Sequence, residues 1–156
     1  MSKEKKDFIE RRRHPRVPVI SNIVEPIDLT YIDNSDGKMH QIAAVLADLS
    51  ASGMRIVSFL KAPIAGTMHI KMEIPTVGKF DVEAKTAWVR QKGPVYTIGI
   101  EFTKIDKAVS DKIMALANDF LDCNTRIMLR LPEVCVPNCK CQSICNKIQK
   151  DKTLFK

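Results

Sequence analysis

Residues 68–102 decide the fold, and they read MHIKMEIPTVGKFDVEAKTAWVRQKGPVYTIGIEF. Apolar and polar side chains alternate over 68–74, which is the pattern of a strand with one buried face. A turn at 75–78 leads into a second alternating run over 80–88, and the Lys92-Gly93-Pro94 turn leads into a third run over 95–102. Consecutive strands joined by short turns predict an antiparallel sheet.

Earlier segments extend this pattern toward the N-terminus. We predict further strands over 17–31, 39–47 and 54–59, with Pro18 and Pro26 indicating an edge or bulged strand in the first of them. The regular spacing of short strands and turns favours a small antiparallel barrel over a βαβ fold. We therefore expect a mainly β protein.

The pattern changes after Phe102, where apolar residues recur at helical spacing. We predict one helix over 106–121, capped by Asp106 or Ser110, ended near Asn124 and covering an open end or face of the barrel. The stripe consists of Val109, Ile113, Leu116, Ala117 and Phe120.

Charge is distributed unevenly along the 156 residues, whose formal net charge is +7. Residues 1–16 carry a net +4, residues 17–122 a net −2 and residues 123–156 a net +5. A mildly acidic middle between basic ends favours local anion sites over a uniformly basic DNA-binding face, so we do not expect nucleic acid as a partner. We divide the chain into a flexible arm (1–10), one domain (11–122) and a basic cysteine-rich extension (123–156).

Several classes of protein are not indicated by the sequence. We find no signal peptide and no apolar run long enough to cross a bilayer, so we expect a cytoplasmic protein without membrane insertion. We find no Ser/His/Asp arrangement, Walker loop or paired carboxylates, so we do not expect an enzyme, and no cofactor is certain.

Two short stretches carry the candidate binding chemistry. The first is Arg11-Arg12-Arg13-His14-Pro15-Arg16, whose guanidinium groups suit phosphate oxygens and the guanine edge. The second is Asp48-Leu49-Ser50-Ala51-Ser52-Gly53. A carboxylate can accept hydrogen bonds from the two adjacent donors of guanine, a hydroxyl can bond a base or a phosphate, and glycine allows close approach of the backbone. Together the two stretches indicate a ligand that contains guanine and phosphate.

The two stretches resemble the RxxxR and [D/N]xSxxG motifs of PilZ domains, and the resemblance covers about residues 11–121. It implies a six-stranded antiparallel β-barrel with a C-terminal helix that binds cyclic di-GMP, a bacterial second messenger. By this resemblance Arg12 and Arg16 grip phosphate and guanine, Asp48 and Ser50 read a guanine edge, and Gly53 keeps the turn open. Arg11 precedes the motif as in family members that bind an intercalated ligand dimer; monomer and dimer both remain open.

The resemblance, combined with the charge of the arm, gives a hypothesis for the mechanism. Four close guanidiniums repel one another, so we expect residues 1–16 to form a loose arginine arm that folds onto the barrel when the ligand neutralises it. The ordered arm would then signal to an unidentified protein partner.

The cysteines of the extension lie outside this resemblance. Cys135, Cys139, Cys141 and Cys145 fall within eleven residues, which is compatible with a zinc site, an iron–sulfur cluster, a thiol redox sensor or a group of free thiols. Their spacing differs from that of common zinc ribbons, so the metal is unknown. A regulator that senses metal or thiol chemistry through this cluster is the alternative function, and Cys123 is predicted to be structural.

Overall fold

The computed structural model describes residues 13–18, 27–32, 36–61, 67–145 and 147–151. Within these ranges the chain forms seven strands and two helices. They are β1 (Arg16–Pro18), β2 (Ile27–Ile32), β3 (Met39–Ser50), β4 (Gly53–Ser58), β5 (Met68–Ile74), β6 (Gly78–Lys92), β7 (Val95–Lys104), α1 (Lys107–Met128) and α2 (Ile148–Asp151).

Strands β2–β7 close into an antiparallel barrel, as the sequence analysis predicted. Strand β3 closes it, because it pairs with β2 through residues 39–44 and with β4 through residues 45–50. The short strand β1 pairs with residues 48–50 of β3. The strand predicted over 17–31 is therefore present as two described pieces, β1 and β2, and its middle lies outside the described residues.

The barrel interior is filled by the apolar residues of the alternating runs. Side chains from five different strands are completely buried, namely Leu29, Ile56, Ile70, Ala84 and Ile98. Helix α1 adds Ile113 and Leu116 to the same cluster. Full burial of one such aliphatic side chain contributes about 1.5–3 kcal/mol, so the period-2 pattern largely determines the register.

Helix α1 begins as predicted but ends later. The Asp106 carboxylate accepts hydrogen bonds from the backbone N–H groups of Ala108 (2.8 Å) and Val109 (3.3 Å), which makes it the N-cap. Asn124 does not end the helix, which runs to Met128. The Asn124 side chain instead accepts a hydrogen bond from Lys147 Nζ at 2.6 Å, which links the tail to this turn of the helix. No helix of the described chain is long and apolar enough to cross a membrane.

The cysteine-rich tail packs against α1 and the core. Cys141 and Ile144 are each 3% exposed and belong to the main apolar cluster. The Cys141 thiol donates to the carbonyl oxygen of Leu116 at 3.0 Å, and Lys147 lies 4.0 Å from the centre of the Phe120 ring. The segment after residue 122 therefore supplies part of the core that covers the helix.

Cys141 is predicted to be the slowest thiol to react. Burial raises its pKa to about 12, so the thiol stays protonated at neutral pH, and the thiolate is the reactive form. We expect iodoacetamide at pH 8 to label Cys141 only after unfolding, whereas the half-buried Cys135 reacts in the folded protein. Peptide mapping by mass spectrometry measures both rates, with Cys141→Ala as the control. Equal labelling of Cys135 and Cys141 in the folded protein would contradict the packing described here.

Candidate functional site

The direction of the Asp48 side chain is set by a bulge in β3. The register of β3 with β4 shifts between Leu46 and Asp48, so Ala47 is an extra residue. Before the bulge even-numbered residues such as Leu46 face the core, and after it the odd-numbered Leu49 does. One extra residue reverses which side chains face inward. Asp48 consequently points away from the barrel interior.

Asp48 is bonded by two arginines from neighbouring strands. Arg55 Nε lies 2.7 Å from Asp48 Oδ2, and Arg16 Nη1 lies 3.3 Å from Asp48 Oδ1. The carboxylate side chain is only 10% exposed, whereas the arginines are 33% (Arg16) and 44% (Arg55) exposed. A carboxylate removed from water needs such partners, because an unpaired buried charge is costly. The outward ends of both guanidiniums remain accessible to an anion.

The turn after Asp48 is held closely against β7. Ser50 Oγ donates to the carbonyl oxygen of Gly53 at 3.0 Å and is almost fully covered, so its hydroxyl braces the turn. The backbone N–H of Phe102 donates to the Ser52 carbonyl oxygen at 2.9 Å. A Cβ atom on Gly53 would overlap with the carbonyl oxygen of Ile100. Glycine is required here for close packing of two strands, because its φ is not in the left-handed region.

A second bulge brings Trp88 onto the same outer face. The register of β6 with β7 shifts between Thr86 and Trp88, so Ala87 is the extra residue. Trp88 is therefore 37% exposed and pairs with Gly99, where a Cβ atom would overlap with the indole ring. Arg90 lies over the indole, with its guanidinium carbon 5.4 Å from the ring centre.

These pairings form one continuous row across four strands. Asp48 of β3 pairs with Arg55 of β4, Arg55 pairs with Gly99 of β7, and Gly99 pairs with Trp88 of β6. Arg16 lies beside Ser50 at the β3 end of the row. The row offers a carboxylate acceptor, several guanidinium donors and a partly exposed aromatic face, which are the groups that bind a phosphate and a purine base.

Most of the predicted site residues therefore lie together. One end of the row contains Arg16, Asp48, Ser50 and Gly53. The Ser50 hydroxyl, however, bonds within its own turn to the Gly53 carbonyl oxygen. Arg11 and Arg12 lie outside the described residues. The ligand-binding roles assigned to all six residues in the sequence analysis remain predictions.

Arg55 and Arg90 were not singled out in the sequence analysis. Arg55 lies between the core residues Met54 and Ile56, so alternation alone predicts that it faces outward. A two-residue hairpin loop at Ala51 and Ser52 would also have predicted its pairing with Asp48. Arg90 follows Trp88 by two residues, so the two side chains lie on the same face. Alternation from the earlier part of β6 would place both inside, because the sequence gives no sign of the bulge at Ala87.

Apart from this row, the tail and α1 enclose a cavity. It has a volume of about 160 Å³, and its lining includes Cys123, Cys135, Cys139 and Cys145. Cys123, predicted to be structural, faces this cavity, whereas Cys141 is in the core. Burial raises the pKa of Cys139, and nearby Asp119, Cys123 and Cys135 add to the effect. In the described part of the chain, no three His, Cys, Asp or Glu side chains are arranged to hold a metal ion.

Comparison with known proteins relates the chain to one family. The PilZ domain model matches residues 10–119, and no curated protein matches the chain. YcgR from Escherichia coli, solved in complex with c-di-GMP, is 16% identical with a TM-score of 0.53, over 78% of this chain and 50% of that chain. The Bacillus subtilis inhibitor of motility MotI/DgrA is 14% identical with a TM-score of 0.50, over 79% and 53% respectively.

The chain thus spans about half the length of these two solved proteins. At such identities the likeness shows the fold, and it agrees with the barrel described above. Because the family model matches most of its length, the chain belongs to the PilZ domain family.

Proposed function

We propose that this protein is a non-enzymatic, cytoplasmic receptor for cyclic di-GMP. The observation that carries the proposal is the outer row, in which Arg16 and Asp48 from two separate motifs lie in direct contact. The family assignment supports it, as does the c-di-GMP complex of the similarly folded YcgR. The row combines a hydrogen-bond acceptor, cations and an aromatic ring, so it suits a ligand that contains both a guanine base and a phosphate diester.

The proposed roles follow the chemistry of each group. The Asp48 carboxylate accepts hydrogen bonds from the N1–H and exocyclic amine of guanine, and Arg16 donates to phosphate or to the guanine O6/N7 edge. Arg11 and Arg12 precede Arg16 by five and four residues, so a folded arm can bring them to the same ligand. Ser50 contributes through the turn that it stabilises, while Gly53 keeps β4 close to β7. Trp88 provides a surface for stacking.

We further propose that binding orders the arginine arm and thereby changes the surface presented to a protein partner. Four arginines at positions 11, 12, 13 and 16 repel one another, and one ligand brings two compensating phosphate charges. Charge-assisted hydrogen bonds of this kind contribute about 1.5–3 kcal/mol each, so a few of them offset the entropy cost of ordering a short segment. The arm would then lie beside β1, which already pairs with the end of β3.

Calorimetric titration with cyclic di-GMP tests the ligand and the site together. We expect micromolar or tighter binding by the wild type, and a loss of about tenfold or more in Arg12→Ala and in Asp48→Ala, since each removes a charge-assisted contact. Lys79→Ala, which removes an exposed charge at the distant end of β6, is the control and should bind normally. A well-folded wild type that ignores cyclic di-GMP would refute the proposal.

Limited trypsin digestion tests the ordering of the arm. Trypsin cleaves after Arg, so the bonds after Arg11, Arg12 and Arg13 report directly on accessibility. We expect cyclic di-GMP at saturating concentration to slow cleavage at these bonds at least about tenfold, because protease access requires an open segment. Cyclic di-AMP serves as the ligand control, and cleavage after the exposed Arg130 serves as the internal reference. Unchanged cleavage in a protein that binds the ligand would show that the arm does not order.

A second candidate function, thiol-dependent regulation, is favoured by the tail cavity. Cys123 of α1 and three tail cysteines line the same space, so a change in their oxidation state would act on the contact between helix and tail. This hypothesis has a thiol form, in which the cysteines are oxidised, and a metal form, in which they bind an ion.

Oxidation with hydrogen peroxide tests this second function. One peroxide oxidises two thiols to a disulfide and yields two waters, so we expect the loss of two free thiols, restored by dithiothreitol. Cys123→Ser should prevent the loss, whereas Cys141→Ser, which changes a core position, should not. Full retention of free thiols would reject the thiol form, and stoichiometric zinc or iron in the purified protein would favour the metal form instead.

A further inference from the structure

Arg55 makes the shorter of the two arginine contacts to Asp48, the residue proposed to bind guanine. Its Nε lies 2.7 Å from Asp48 Oδ2, compared with 3.3 Å from Arg16 Nη1 to Asp48 Oδ1. Arg16 belongs to the short strand at the end of the arginine arm, whereas Arg55 belongs to the barrel wall and pairs with Asp48 in the β3–β4 hairpin. Arg55 is therefore a cation that stands at the site independently of the arm.

Arg55 lies on the outer face of the barrel, where the ligand is proposed to bind. Its other strand neighbour is Gly99, which has no side chain, and the Trp88 ring fills the space over that glycine. The Arg55 side chain is 44% exposed, so it contacts the Asp48 carboxylate while much of its surface remains in solvent. A guanidinium has five N–H donors, and Nε supplies one of them to Asp48.

The two ion pairs cover most of the carboxylate that a guanine base would use. Guanine presents N1–H and its exocyclic amine side by side and needs both carboxylate oxygens. Each oxygen of Asp48 already accepts from one guanidinium, and little of the carboxylate is exposed. Each oxygen can accept a second hydrogen bond, but only 10% of the side chain is exposed, so a guanine base reaches both oxygens only if a covering guanidinium moves aside.

We propose that Arg55 is a ligand-binding residue that exchanges partners, holding Asp48 in the free protein and turning to a ligand phosphate in the bound one. This inference rests on the proposed function. The exchange is balanced, because the guanine donors replace Arg55 on the carboxylate while the phosphate replaces the carboxylate on Arg55. In both the free and the bound state Asp48 keeps Arg16 as a charge partner and Arg55 keeps an anion, which avoids the large cost of an isolated buried ion. The Arg55 fork also matches two phosphate oxygens at once, which a lysine does not.

The test compares cyclic di-GMP affinity in wild type, Arg55→Gln, Arg55→Lys and Lys79→Gln by calorimetry. Lys79→Gln removes the same charge from an exposed position paired only weakly with Glu73 at 3.6 Å, so it is the matched control. We expect Arg55→Gln to weaken binding at least about tenfold, Arg55→Lys to recover only part of the loss, and Lys79→Gln to stay within about twofold of wild type.

Ionic strength separates ligand contact from a purely structural role. If Arg55 meets a phosphate, the affinity difference between wild type and Arg55→Gln narrows as salt rises, since screening weakens the lost attraction. Binding by Arg55→Gln as tight as wild type, or tighter, would overturn the partner exchange while leaving the proposed function intact, provided that Asp48→Ala still weakens binding about tenfold or more. A salt-independent loss accompanied by a lower urea midpoint would also overturn it, because Arg55 would then act through stability alone.

Discussion

Two extra residues, Ala47 in β3 and Ala87 in β6, determine which side chains this barrel presents to the outside. In an unbroken strand, Asp48 would follow Leu46 into the core, and Trp88 would follow Ala84. An uncompensated carboxylate in that apolar interior would be severely destabilising. The bulges avoid that cost and place both side chains in one outer row. The candidate site therefore depends on two local departures from strand periodicity more than on any single residue.

Charge balance is the second constraint on that row. Asp48 is mostly removed from water, and its two arginine partners compensate its charge while adding one positive charge in excess. The excess is increased by Arg90 over the indole, whereas the nearby Glu101 is itself paired with Lys85 at 3.4 Å. A face that combines a satisfied carboxylate with surplus guanidiniums attracts an anion without leaving a buried charge alone when the anion departs.

The sequence was sufficient for the parts of the structure that follow from periodicity and local chemistry. Alternation over 68–102 predicted three strands of the barrel, the apolar stripe after Phe102 predicted α1, and Asp106 was one of its two predicted caps. The association of Arg16 with Asp48 followed from the family resemblance. Features that depend on contacts between distant segments were missed. Lys147 donates a hydrogen bond to Asn124 inside the helix, and the Leu116 carbonyl oxygen accepts one from the Cys141 thiol. Neither contact leaves a local signal in the sequence.

The packing of the tail has a practical consequence for any shortened form of this protein. The family match ends at residue 119, in the middle of α1. A fragment cut there would lose Cys141 and Ile144 from the core, together with both Phe120 and the Lys147 ammonium that lies over it. The apolar face of the remaining helix would then be exposed, which favours aggregation. We therefore expect the smallest fragment that folds on its own to extend through residue 147. The family match therefore stops 25 residues before Ile144, the last core residue of the described chain (144 − 119).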